Sequence, residues 1–303
     1  MKLYILLLST ILLASKAKEP TESNIYISRD YGQHWDAIGA GLPTDAYINA
    51  WTVHQSTIVA GTESNGIYIS YDGAKNWQRS SKGLPMDIKV NALISHGNIL
   101  LAGTYRNGIY ISHNGGNTWQ PSSKGIGTFS IRSFHIHNNI LFAGTDDGVY
   151  ASTDQGISWQ PVLRGYQINA FTSDNGNILT ASNVGIFRSA DSGKSWTLQS
   201  GMGAFATLAT DSDKLVAVMY DGRAYVSSDH GILWLHNEPF FDKYTFKLTP
   251  SGSTFPAAPW RDSLPTYYYQ KLSGRHGLPN KNFSLLLNTP YGLLTTIGGG
   301  GGC

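Results

Sequence analysis

One eight-residue pattern, Ser-x-Asp-x-Gly-x-x-Trp, returns six times along this 303-residue chain and limits its fold more than any other feature. The copies start at Ser28, Ser70, Ser112, Ser152, Ser189 and Ser227. Asp30, Asp72, Asn114, Asp154, Asp191 and Asp229 hold one position, and Trp35, Trp77, Trp119, Trp159, Trp196 and Trp234 close the pattern. The intervals along the first of these positions are 42, 42, 40, 37 and 38 residues. A repeat of about 40 residues is the length of a four-stranded propeller blade.

The residues between the copies agree with that length. In the third repeat, Lys89 to Ile94, Asn98 to Gly103 and Gly108 to Ser112 are strand-length runs, and Trp119-Gln120 opens a fourth. Ala60-Gly61-Thr62, Ala102-Gly103-Thr104 and Ala143-Gly144-Thr145 end the second strands, while Gly66-Ile67-Tyr68, Gly108-Ile109-Tyr110 and Gly148-Val149-Tyr150 open the third. Runs of Ile, Val, Tyr and Trp broken by Gly, Asn and Asp form antiparallel meanders, and no segment keeps a helical period.

Within the pattern, Ser and Asp oxygens accept hydrogen bonds from amides a few residues on, so Asp154 can hold the turn after the third strand. The Gly position permits positive φ. Trp159 then carries a large ring back between neighbouring sheets. The motif resembles the Asp-box, or BNR repeat, of sialidases, sortilin-type receptor ectodomains, two-propeller xyloglucanases and photosystem II assembly-factor-like propellers. Two copies depart from it: Asn114 replaces Asp, and Ala74 replaces Gly beside Gly73. The resemblance implies that the boxes are structural and lie on the face away from the binding site. Each box offers one carboxylate, too few for a calcium site. No metal and no cofactor is expected.

The ends of the chain complete the count. Asn24 to Ser28 enters in mid-blade. Gly277-Leu278-Pro279, Phe283 to Leu287 and Gly292 to Thr296 repeat the order of Gly41-Leu42-Pro43, Ile48 to Trp51 and Ser56 to Ala60. One blade, 21–38 plus 278–303, is therefore expected to pair C-terminal inner strands with N-terminal outer strands, leaving no free sheet edge. Residues of about 240–275 span one more blade without a box. The expectation is an all-β, single seven-bladed propeller over residues 18–303.

Residues 1–17 read as a signal peptide: Lys2, an apolar run from Leu3 to Leu13, then Ser15-Lys16-Ala17. Cleavage after Ala17 takes Lys+Arg from 22 to 20 against 20 acidic residues, and a neutral chain is not suited to nucleic acid. The apolar run is too short for a membrane span of roughly 20 residues, and no later stretch approaches that length. With no Cys near the cleavage site for a lipid anchor, a secreted or periplasmic location is expected. Cys303 is the single cysteine, so it makes no internal disulfide. It is either an incidental terminal thiol or the link of a disulfide-bonded dimer.

Function is expected on the face opposite the boxes, in the turns from second to third strands and in the linkers between blades. Those turns carry Glu63, Tyr105, Arg106, Asp146, Asp147, Tyr220 and Asp221; the linkers and nearby positions carry Arg79, Lys82, Lys124, Arg164, Tyr166, Phe240, Phe241, Arg275 and His276. Asn49, Asn91, Arg132 and Asn169 share one place on the first strand and either line the channel mouth or satisfy strand ends. Phe240 to Tyr269, with Trp260, Tyr267 and Tyr268, is the densest aromatic stretch. Arginine and aromatic side chains together suit a protein or glycan ligand. The alternative is an exo-acting, sialidase-like glycoside hydrolase built on Glu238 and Tyr267 to Tyr269. That family's Arg-Ile-Pro signature is missing, since the chain holds no Ile-Pro. A binding module is the better reading.

Overall fold

The computed structural model describes residues 24–30, 34–211, 214–221, 223–236 and 283–297, and these form antiparallel four-stranded sheets with no helix. The first sheet joins β1 (Ile25–Ser28) and β2 (Asp36–Ile38) to β23 (Phe283–Thr289) and β24 (Gly292–Ile297) in the order β2-β1-β24-β23. The second holds β3 (Ile48–His54), β4 (Thr57–Thr62), β5 (Ile67–Ser70) and β6 (Gln78–Arg79). The third holds β7 (Val90–His96), β8 (Ile99–Thr104), β9 (Ile109–Ser112) and β10 (Gln120–Pro121). The fourth holds β11 (Ile131–His137), β12 (Ile140–Thr145), β13 (Gly148–Ser152) and β14 (Gln160–Arg164). β15 (Ile168–Asp174), β16 (Asn177–Ser182), β17 (Ile186–Ser189) and β18 (Thr197–Ser200) make the fifth, and β19 (Phe205–Asp211), β20 (Lys214–Met219), β21 (Ala224–Ser227) and β22 (Leu235–His236) the sixth.

The expected pairing of the two chain ends is present: Tyr26 of β1 faces Thr295 of β24, and Leu286 of β23 faces Thr295 in turn. The first strands β3, β7, β11, β15 and β19 follow one another side by side, and β23 lies beside β3. These strands run further than the sequence pattern indicates. β7 reaches His96 rather than Ile94, because Ser95 and His96 still pair with Leu100 and Ile99. The strands expected from Tyr244 to Lys271 lie outside the described residues.

The cores lie between sheets. Trp159 is fully buried among Ile99, Leu101, Ile109 and Ile111 of the third sheet and Ile131, Leu141 and Tyr150 of the fourth. Burying such a ring stabilises by several kcal/mol, at about 25 cal/mol per Å² of apolar area. The Ala-Gly-Thr endings make close approach possible. A Cβ at Gly61 would sit 2.5 Å from Val90, and the same holds for Gly103 against Ile131 and Gly144 against Ile168. Glycine there lets these three second strands touch the next sheet's first strand.

Candidate binding face

The ladder registers decide which residues share an end of the sheets. Ile48 faces Thr62, so the start of each first strand lies beside the turn from second to third strand. Ile58 faces Ser70, so the boxes follow at the opposite end. The turn itself is clasped by a repeated side chain: the Thr62, Thr104, Thr145 and Ser182 hydroxyls donate to the carbonyls of Gly66, Gly108, Gly148 and Gly185 at 2.8, 2.7, 3.0 and 2.7 Å. This explains the Thr that closes the Ala-Gly-Thr runs.

At that end each first strand bulges at its second residue. The register skips between Ile48 and Ala50, Val90 and Ala92, Ile131 and Ser133, Ile168 and Ala170, and Phe205 and Thr207. A bulge frees one residue from the ladder and re-aims its side chain. The freed residues are Asn49, Asn91, Arg132, Asn169 and Ala206, the position that the sequence singles out. Their neighbours are the first residues of the adjacent turns. Asn49 donates to Glu63 at 2.8 Å, and Lys89 of the next sheet pairs with the same carboxylate at 2.7 Å. Arg132 Nε donates to Asp146 at 2.6 Å. Asn169 turns instead to the carbonyl of Phe205 at 2.7 Å, satisfying a strand end.

Tyr220, the first turn residue of the sixth sheet, joins this set. Burial pushes its phenol pKa up, and the Arg132 charge draws it partly back. Tyr105 is 43% exposed, with Lys89 Nζ 5.6 Å and Arg106 Cζ 5.0 Å from its ring centroid. Arg106 holds a left-handed φ of 59°. Asp147 takes Arg164 at 3.0 Å and the Tyr150 hydroxyl at 2.9 Å. Burial, with that bond to Asp147, pushes the Tyr150 phenol up to about 12. Asp221 pairs with Arg223 at 2.7 Å. This end of the described sheets thus carries a row of paired charges and partly exposed aromatic side chains.

Other expected site residues fall elsewhere. Arg79 lies on β6, the strand farthest from the first strand, opposite Tyr68. The linkers do not all belong to the mouth, which corrects the expectation for Lys82 and Lys124. The box tryptophan amides of Trp77, Trp119 and Trp159 donate to the carbonyls of Ala40, Lys82 and Lys124 at 2.8, 2.9 and 2.9 Å. These linkers therefore strap the box of the following sheet. The physical reason is the glycine after each carbonyl: Gly41, Gly83 and Gly125 have positive φ, and a Cβ on any of them would overlap the Trp carbonyl oxygen. Phe240, Phe241, Trp260, Tyr267, Tyr268, Arg275, His276, Glu238 and Cys303 lie outside the described residues.

The boxes themselves are turn staples. Asp154 Oδ1 accepts the Ser152 hydroxyl at 2.7 Å and the Ser158 amide at 2.9 Å, while Ser152 Oγ accepts the Gly156 amide at 2.8 Å. Asn114 makes the same two Oδ1 contacts with Ser112 and Thr118. Ala74 takes up the glycine position at a φ of 68°. In the fifth box the Ser195 hydroxyl and amide hold the Asp191 carboxyl down at about 2. Both carboxylate oxygens of Asp72, Asp154 and Asp191 are committed to their own turns.

A family model for the BNR/Asp-box repeat matches residues 150–161, which include the fourth box. No curated protein matches the chain significantly in sequence. Several solved structures share the fold. The extracellular domain of a hybrid two-component system from B. thetaiotaomicron is 15% identical, with a TM-score of 0.57 over 88% of this chain and 34% of its own. An ancestral GH74 enzyme is 17% identical, with a TM-score of 0.55 over 71% of this chain and 33% of its own. YCF48 bound to D1 peptide is 16% identical, with a TM-score of 0.56 over 88% of this chain and 84% of that one. The chain thus spans about a third of the first two proteins and most of the third.

Proposed function

We propose that this Asp-box repeat protein is an exported, closed seven-bladed propeller that binds a protein or glycan ligand at its polar mouth. Residues 1–17 are its cleaved signal peptide in this reading. The observation that carries the proposal is the recurring bulge, beside which Asn49 donates to Glu63 and Arg132 to Asp146. Paired charges with partly exposed rings beside them suit recognition of a polar ligand. Of the two ligand classes, a peptide segment has the support of YCF48, whose structure holds the D1 peptide.

Peptide-display and glycan-array selection on the mature chain supplies the ligands for a test. Arg132→Ala removes a charged hydrogen bond of about 1.5–3 kcal/mol and should weaken the selected ligands by at least tenfold. Arg79→Ala, on an outer strand, should not. Equal losses for both variants would move the site away from the mouth, and turnover of fluorogenic glycosides, sialosides included, would replace binding with hydrolysis.

A further inference from the structure

The straps are not repeated around the whole chain. Between the fifth and sixth sheets the linker is Ser200-Gly201-Met202-Gly203-Ala204, and Gly203 donates to Val184 of its own fifth sheet instead of turning toward the sixth box. Among the described residues, no backbone carbonyl accepts the Trp234 amide, whose counterparts Trp77, Trp119 and Trp159 are all bonded to a strap. Its indole bonds the Gly231 carbonyl of its own box at 3.1 Å.

A second observation marks the same place. The Ser80 and Ser122 hydroxyls, where the outer strand gives way to the strap, donate to the Gly116 and Gly156 carbonyls of the next box. Ser200 faces Ile186 as Ser80 faces Ile67. It is only 8% exposed, and its hydroxyl has no partner among the described residues. A buried hydroxyl without a partner costs about 1–3 kcal/mol.

The rim around this place is apolar where its siblings are polar. Leu233 stands where the other boxes carry His34, Asn76, Thr118, Ser158 and Ser195, and Leu235 where Gln78, Gln120, Gln160 and Thr197 stand. Leu233 is 58% exposed, Leu235 62% and Met202 41%.

We propose that the strapless sixth box is a docking groove for an extended peptide segment of another protein carrying a strap-like x-Gly-Leu-Pro or x-Gly-Ile pattern. The occupant's chemistry is set by the equivalent interface in three sibling sheets, whose box pattern this one repeats. There Ala40-Gly41-Leu42-Pro43, Lys82-Gly83-Leu84-Pro85 and Lys124-Gly125-Ile126 fill it, and Leu42, Leu84 and Ile126 pack into the clusters of Trp77, Trp119 and Trp159. The carbonyl before the glycine accepts the Trp234 amide, and the glycine passes over the Trp234 carbonyl where a Cβ cannot. This is strand-edge recognition, in which main-chain bonds give affinity and side-chain pockets give selectivity.

The probe is a fluorescein-labelled peptide with the sequence of residues 80–87, Ser-Ser-Lys-Gly-Leu-Pro-Met-Asp, titrated against the full chain by fluorescence polarisation. Saturable binding is expected, weakened at least tenfold when the peptide's glycine becomes alanine and at least tenfold by Leu233→Glu in the protein. Leu233 is exposed, so that variant should fold, and circular dichroism checks it. Arg132→Ala should leave this binding unchanged, which separates it from the mouth. Absence of binding at millimolar peptide, or indifference to either substitution, overturns the proposal. So does self-association of the chain that Leu233→Glu abolishes, which would assign the groove to a second copy.

Discussion

Replacing Gly83 by Ala tests the strap in its simplest form. Gly83 has a φ of 93°, so any Cβ costs about 1 kcal/mol in backbone strain. The same Cβ would overlap the Trp119 carbonyl oxygen, and backbone atoms do not yield as a flexible side chain does. The strap must lift, losing the 2.9 Å bond from the Trp119 amide to the Lys82 carbonyl, worth about 1 kcal/mol. Part of the Leu84 contact goes with it, about another 1 kcal/mol for a half-buried leucine. The expected cost is about 3 kcal/mol. Gly165→Ala is the matched control: its φ is 87°, but nothing lies within 4 Å of its Cβ position, so only the strain of about 1 kcal/mol remains. Urea denaturation of the two variants measures the difference. Equal destabilisation would show that the straps add nothing beyond backbone strain and would refute the reasoning.

Two further outcomes follow from the boxes and the first strands. Asp154→Asn should cost less than about 1 kcal/mol, because Asn114 already makes the same Oδ1 contacts, whereas Asp154→Ala strands the Ser152 hydroxyl and Ser158 amide and should cost about 2–3 kcal/mol in thermal denaturation. His135, whose Nε2 lies 2.6 Å from Ser173 Oγ, is held down at about 4 by burial and by the nearby His137. The native state then binds fewer protons than the unfolded chain between pH 6.5 and 4, so stability is full above 6.5 and falls by up to about 3 kcal/mol toward pH 4. Denaturation across that range should show a flatter slope for His135→Gln, and an unchanged slope would count against this account.

The fold was legible because one motif does the same physical task in each repeat. Asp154 and its siblings need an acid or amide two residues after a serine, a positive-φ residue, and a tryptophan to bury, and those requirements survive in the sequence as spacing. The pairing of Ile25 to Ser28 with Gly292 to Ile297 was legible for the same reason, since each end carries half of a repeat. The mouth was only half legible. Asn49, Arg132 and Asn169 share a sequence position, yet the bulge that frees them is a register shift between two strands, visible only once both are paired. Their partners, Glu63 and Asp146, sit fourteen residues away in each case and look like ordinary turn residues alone.

The unequal intervals carry a meaning that the motif by itself hides. The three long ones, 42, 42 and 40 residues, contain the straps over Trp77, Trp119 and Trp159. The two short ones, 37 and 38 residues, lead to Trp196 and Trp234, whose amides meet no strap among the described residues. The spacing was thus recording whether a linker crosses to the next box or turns directly into the next first strand. In the fifth sheet the shorter linker substitutes a ring for the strap: Tyr166 lies 4.7 Å from Phe187 and packs into the cluster that holds Trp196. In the sixth, among the described residues, no such ring is supplied and the Ser200 hydroxyl has no partner, while Leu233 and Leu235 are exposed. A difference of two to four residues in repeat length therefore separates the boxes strapped by their own chain from one whose edge is open to another.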